Sequence, residues 1–178
     1  MRKAMIVAAI LGLFGGAAHA QGVATQNVNL TANVGGYCTI DGAATGTVRS
    51  ATVPVANGVV TPGNLTIGGT NGSVICTSNA KIQLTTTSAG LTNSLAAANP
   101  FVNKIHYTAT ASYNGKTEMI DTTTAVAGTP TAGQTTTAGA QTSQSLELTV
   151  NIAPTPNGKY LLNGNFSDTL VVTLSPAP

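Results

Sequence analysis

The stretch "KIHYTATASYNG", residues 104–115, decides the fold class. Ile105, Tyr107, Ala109, Ala111 and Tyr113 fall on every second position, with His106, Thr108, Thr110 and Ser112 between them. A period of two places the first set on one face of a β-strand and the second on the other. Asn114-Gly115 then supplies two residues that tolerate positive φ, which a type I′ turn between antiparallel strands requires. "KTEMI" at 116–120 reads as the return strand.

Outward from this hairpin the same alternation recurs. "KIQLTTT" (81–87) sets Ile82, Leu84 and Thr86 on one face, and "LELTVNI" (146–152) does so with Leu146, Leu148, Val150 and Ile152. "FSDTLVVTL" (166–174) carries Phe166, Leu170, Val172 and Leu174. Shorter candidates are "YCTI" (37–40), "TVRSATVPV" (47–55), "NLTI" (64–67) and "SVICTS" (73–78). Thr and Val favour pleated, half-buried surfaces, and Asn and Gly punctuate them. "AGLTNSLAAANPF" (89–101) holds at most a short helical turn before Pro100, and residues 122–143, rich in Thr, Ala and Gly, read as a long surface loop or ragged edge. The fold class expected is all-β, an antiparallel sandwich of immunoglobulin-like type.

Residues 1–20 have the three parts of a secretory signal peptide: Arg2 and Lys3, an apolar run, and "AHA" at 18–20. No later stretch approaches the length of a membrane-spanning helix. Arg2 and Lys3 account for the whole formal charge of +2, so the remainder is electrically balanced. That balance offers no steering toward nucleic acid or an anionic membrane, and little opposition to self-association. The expected domains are the leader 1–20, an N-terminal segment 21–36, and a β-sandwich domain 37–178. In an exported chain Cys38 and Cys76 are expected to pair as a disulfide, the alternative being two buried thiols.

Parts for chemistry are sparse. Beyond the leader His106 is the sole histidine, and its place opposite Ile105 and Tyr107 points it to solvent. The carboxylates Asp41, Glu118, Asp121, Glu147 and Asp168 form no spaced pair, and Glu118 and Asp121 follow a hairpin where surface placement is the default. "TIGGTNG" lacks the Lys-Ser/Thr ending of a phosphate loop and reads as a turn. "NLT" at Asn29 and Asn64, "NGS" at Asn71 and "NFS" at Asn165 match the glycosylation pattern, as Asn/Thr-rich chains do by chance. No catalytic residue, metal site or cofactor is expected.

The N-terminal "QNVNLTANVGGYC" (26–38) alternates Val28, Leu30, Ala32 and Val34 with Asn and Thr. It fits either the first strand of the chain's own sandwich or a strand given to another molecule.

Leader, alternating segment, "GGYCTIDG", "GSVICTSNAKIQLTTTSAG", "NKIHYTATASYNGKT" and the close "LELTVNIAPTPNGKYLLNGNFSDTLVVTL" occur in an order that resembles the spore coat protein U domain family. These are the subunits of archaic chaperone–usher pili. The resemblance covers nearly all the chain after the leader. It implies a sandwich lacking its final strand, completed first by a periplasmic chaperone and then by the N-terminal segment of the next subunit at an outer-membrane usher. Val28, Leu30, Ala32 and Val34 would be donor side chains. Leu170, Val172 and Leu174 would line the acceptor edge, and the Cys38–Cys76 bridge would pin the first strand to the second. Partners would be other copies or related pilins, joined head to tail in a cell-surface fibre for adhesion or biofilm formation. The family's chains usually stop at or near the last strand, whereas this one continues into "SPAP" (175–178). A stand-alone secreted module binding a carbohydrate or surface ligand is the other function class the composition admits.

Overall fold

A computed structural model of the chain describes residues 31–32, 35–42, 50–66, 72–136 and 141–177. The chain divides into Met1–Asn33 and Val34–Pro178, and the strands belong to the second unit. The leader and three of the N-terminal alternating residues, Val28, Leu30 and Val34, lie outside the described residues; Ala32 is exposed and outside any strand.

No helix occurs among the described residues, so the all-β expectation holds. In chain order the strands are β1 (Cys38–Ile40), β2 (Val55–Ala56), β3 (Val59–Val60), β4 (Gly63–Thr66), β5 (Gly72–Cys76), β6 (Ala80–Thr86), β7 (Leu91–Thr92) and β8 (Phe101–Val102). There follow β9 (Lys104–Ile105), β10 (Tyr107–Tyr113), β11 (Lys116–Asp121), β12 (Gln134–Thr135), β13 (Gln141–Ile152), β14 (Tyr160–Leu161) and β15 (Leu170–Pro176). The larger sheet runs β1-β5-β13-β10-β11, with β4 beside the second half of β13; the smaller runs β12-β6-β15. Every pairing within these two sheets is antiparallel.

The opening stretch folds as its period requires. Tyr107, Ala109, Ala111 and Tyr113 are buried, and Asn114 and Gly115 take positive φ in the turn to β11. β10 thus carries rings at its ends and methyl groups between. Ile82 and Leu84 of β6, fully buried, complete a core with Val74, Ile120, Val150 and Ile152. Matching a two-residue period on facing strands is what lets both inner faces stay apolar.

Several local expectations are corrected. Only Val55 of "TVRSATVPV" is a described strand residue; Ser50–Pro54 lie outside any strand, Pro54 having no N–H to give a ladder although its carbonyl accepts from the Thr61 N–H, and the chain turns at Asn57-Gly58. No helical turn forms at 89–101; Leu91 and Thr92 pair with Ile105 and Lys104. Glu118 is 7 % exposed rather than on the surface, its Oε1 accepting from the Gly133 N–H at 3.2 Å. His106 is half-buried, with Nδ1 3.1 Å from the Thr122 carbonyl.

The described part of the Thr/Ala/Gly stretch is more ordered than a loop. It crosses from β11 to the smaller sheet and lies along β6. There Gly128 donates to the Thr86 carbonyl, Thr131 to Leu84 and Thr136 to Ala80 at 2.8–2.9 Å. The hydroxyls of Thr131 and Thr136 accept in return from the Leu84 and Ala80 N–H groups. Threonine side chains therefore stand in for the backbone acceptors that a regular strand would have offered.

Candidate functional site

The functional candidate is the outer edge of β15. Its register with β6 runs from Leu170 opposite Thr86 to Pro176 opposite Ala80. Thr87 donates to the Thr169 carbonyl at 3.0 Å, and Ala177 to the Asn79 carbonyl at 2.7 Å, one just beyond each end of the strand and both on its β6 side. In an antiparallel ladder hydrogen-bonded pairs alternate with pairs that turn their groups outward. The odd-numbered residues of β15 therefore bond to β6, and the N–H and C=O groups of Leu170, Val172 and Leu174 face away. Pro176 ends this row with a carbonyl and no N–H. Among the described residues β15 pairs with β6 alone.

Side chains on the same residues tell a matching story. Leu170, Val172 and Leu174 point toward the core but are only half-buried, although Thr86, Leu84 and Ile82 opposite them are 0 % exposed. One flank of β6 is thus covered by residues 128–136, and its other neighbour, β15, presents both unpaired backbone and incompletely buried apolar side chains. Leu170, Val172 and Leu174, the residues expected to line an acceptor edge, are brought onto one face of one strand, as the alternation required.

Across from β15 the larger sheet ends in β1, which has only three residues and pairs with β5. Cys38 lies opposite Cys76 in that register, and the two form a disulfide with a Cα–Cα distance of 4.1 Å. The bridge closes a sequence separation of 38, and the chain-entropy relation puts its stabilisation near ~4 kcal/mol. Just before β1, a Cβ on Gly36 would sit 2.9 Å from Pro176 Cβ, so glycine allows the chain to close against the end of β15 there.

The other end of β15 is fixed by Asp168, which as a lone carboxylate carried no role in the sequence. Its Oδ2 accepts from Thr86 Oγ1, from the Tyr107 hydroxyl at 2.9 Å and from the Gly90 N–H at 3.0 Å. Its Oδ1 accepts from Thr87 Oγ1 at 2.8 Å, and from the Ser88 and Thr169 N–H groups at 2.9 and 2.8 Å. Burial alone would raise this carboxyl, but the bonds from Thr86, Thr87, Gly90 and Tyr107 outweigh it and hold it below the ordinary range. Tyr107 is pushed up to about 12 by burial, with Asp168 adding to the rise and the Thr86 hydroxyl opposing it. The sequence signal was a single acid among uncharged hydroxyl residues, immediately ahead of the last apolar strand.

Both oxygens of Asp168 accept from the chain itself, and His106 Nδ1 lies against the Thr122 carbonyl. No group of three or more His, Cys, Asp or Glu able to hold a metal occurs among the described residues. No helix there is long and apolar enough to cross a membrane. Comparison with protein-family models, curated proteins and solved structures returned no match.

Proposed function

We propose that the chain is a non-catalytic subunit of an extracellular fibre, polymerised by insertion of an N-terminal strand from one copy beside β15 of the next. The observation that carries this reading is the half-burial of Leu170, Val172 and Leu174 on a strand whose outward N–H and C=O groups meet no described partner. An edge of this kind is a template for another strand. The order β1-β5-β13-β10 facing β6-β15 also suits an immunoglobulin-like sandwich without the strand that would follow β15.

The proposed occupant is the segment 21–34, with Val28, Leu30, Ala32 and Val34 seated over the acceptor side chains and its backbone completing the ladder. Each large donor side chain that becomes buried contributes roughly 1.5–3 kcal/mol, and Ala32 less. A contact of this kind is heterologous, so repetition gives an open filament rather than a closed dimer. A periplasmic chaperone would hold the same edge during export, and an outer-membrane usher would exchange it for the next subunit's strand.

Two variants test the reading. The first lacks residues 21–34 and is mixed with the free peptide 21–34. The expected result is a one-to-one complex of higher melting temperature, with no polymer. The second carries residues 21–34 after Pro178 on a flexible linker and is expected as a monomer melting well above the chain with its N-terminus in place. Long polymers of the truncated chain, or a rearranged chain that melts lower, would overturn the proposal.

A further inference from the structure

Phe101 and Tyr160 are two of the larger apolar side chains left exposed, at 45 % and 47 %. They come from distant parts of the chain and are brought together by β8 and β14, the one parallel pair in the described fold. Tyr160 stands opposite Phe101, and Leu161 opposite Val102. Leu161 is in the core and Val102 packs against it. With the alternation of a strand, both rings therefore lie side by side on the outer surface, above an anchored layer.

The platform is fixed from beneath. Tyr160 donates to the Pro100 carbonyl at 3.1 Å, Leu162 to Val102 at 2.9 Å, and Leu161 to Gly58 at 2.6 Å. Gly58 belongs to the β2–β3 turn, and a Cβ there would lie 3.7 Å from Tyr160 Cδ1, so the turn borders the ring. At the opposite rim, the residue preceding Tyr160 bonds to the stretch preceding Phe101: Lys159 Nζ donates to Asn99 Oδ1. Two flat rings thus adjoin an amide and an ammonium with hydrogen-bonding capacity to spare.

Size separates the possible occupants. A fully buried Phe or Tyr covers about 150–250 Å², so two half-exposed rings offer roughly 200 Å². A stable protein interface needs roughly 800 Å² from each partner. The patch falls far short of that, but two adjoining rings match the apolar face of a sugar ring, whose axial C–H groups stack on aromatics while its hydroxyls lie in the plane and need donors and acceptors at the edge. We propose that Phe101 and Tyr160 form a stacking platform for a pyranose of a neutral, equatorially substituted glycan, with Asn99 and Lys159 bonding its hydroxyls. This site is independent of the β15 edge.

Cellohexaose and chitohexaose are suitable probes for the folded chain. Saturation-transfer NMR should show transfer concentrated on the axial protons H1, H3 and H5 of the sugar. Tyr160→Ala and Phe101→Ala should each weaken binding about tenfold, whereas Tyr160→Phe, which keeps the ring, should stay within about threefold. Nitration read by mass spectrometry gives a test without variants: the glycan should protect Tyr160 and leave Tyr37, 50 % exposed, reactive. No transfer to either sugar at millimolar concentration, or equal nitration of Tyr160 with and without sugar, would overturn the proposal. So would self-association of the chain that Tyr160→Ala abolishes, since the rings would then cover another copy.

Discussion

The Tyr107 hydroxyl donates to Asp168 Oδ2 at 2.9 Å, and so ties the first residue of β10 in the larger sheet to the residue pair that leads into β15 in the smaller. The same carboxylate gathers the turn after β6, through Thr86, Thr87, Ser88 and Gly90. The edge strand with an unpaired side is therefore not loosely held. Its entry is one of the most heavily bonded points among the described residues, which holds Leu170, Val172 and Leu174 in register on β6.

Asp168→Asn replaces an acceptor by a donor facing other donors. The expected loss is at least ~2 kcal/mol, since each hydrogen bond to a charged group is worth roughly 1.5–3. Because the folded carboxyl titrates below its unfolded value, wild-type stability from this group is complete above the ordinary aspartate pKa of about 3.9 and is lost as pH falls through the lower folded value. Thermal unfolding from neutral pH down to about pH 2 should show that acid loss in the wild type and a shallower one in the variant. Equal slopes would remove Asp168 from the account.

Tyr107 gives the opposite sign. Its folded pKa of about 12 lies above the ordinary phenol value of 10.0, so the stability it contributes is intact below 10 and is lost as pH rises toward 12. Tyrosine absorbance should report a phenol ionising late, and Tyr107→Phe should remove that ionisation and flatten part of the alkaline unfolding curve. Tyr113, also raised by burial, should remain as a second late phenol in the variant.

Cys38→Ser with Cys76→Ser removes the only covalent tie between β1 and β5 among the described residues. A loss near ~4 kcal/mol is expected in chemical unfolding. Hydrogen exchange should quicken first at 38–40, a strand of three residues, before the β6–β15 ladder responds. Uniform quickening across both sheets would contradict this order.

Gly133→Ala addresses the covered flank. Gly133 has φ +85, and a Cβ there would lie 2.6 Å from Lys81 Cε and 2.7 Å from the Ile82 carbonyl. Backbone cannot yield as a side chain can, so a destabilisation of roughly 2 kcal/mol or more is expected, with 128–136 detaching from β6. Exchange of the Thr131 and Thr136 amides should rise together.

The two faces of β15 offer a paired test of the acceptor edge. Val172→Asp puts a carboxylate where an incoming strand would bury it, and capture of peptide 21–34 should fail. Val171, 42 % exposed on the outer face, should tolerate the same change with capture retained. Leu30→Asp in the peptide should reproduce the failure from the other side. Equal behaviour of the two β15 variants would place the contact elsewhere.

What could be read from the sequence was what period alone determines. Tyr107 to Tyr113, Ile82 to Thr86 and Leu146 to Ile152 take their faces from a backbone repeat that no neighbour can alter without reversing every side chain. Leu170, Val172 and Leu174 were legible for the same reason. Thr131 and Thr136 were not, because their hydroxyls replace a ladder and leave no periodic trace. Asp168 was visible as a residue but not as a junction, since its six donors lie near it in space and, Thr169 excepted, far from it along the chain. Phe101 and Tyr160 are separated along the chain by the five strands β9 to β13, and the β8–β14 pair makes them neighbours.

The Cys38–Cys76 bridge also sets how the molecule answers to tension. Force entering ahead of residue 38 passes through the sulfurs into residue 76 and on into β6, bypassing everything between. The enclosed stretch, a separation of 38 residues, amounts to roughly 130 Å of contour that stretching cannot release while the bond is intact. Pulled from both ends, the oxidised chain should stop short by that length, and a reductant should return it as a discrete extra extension.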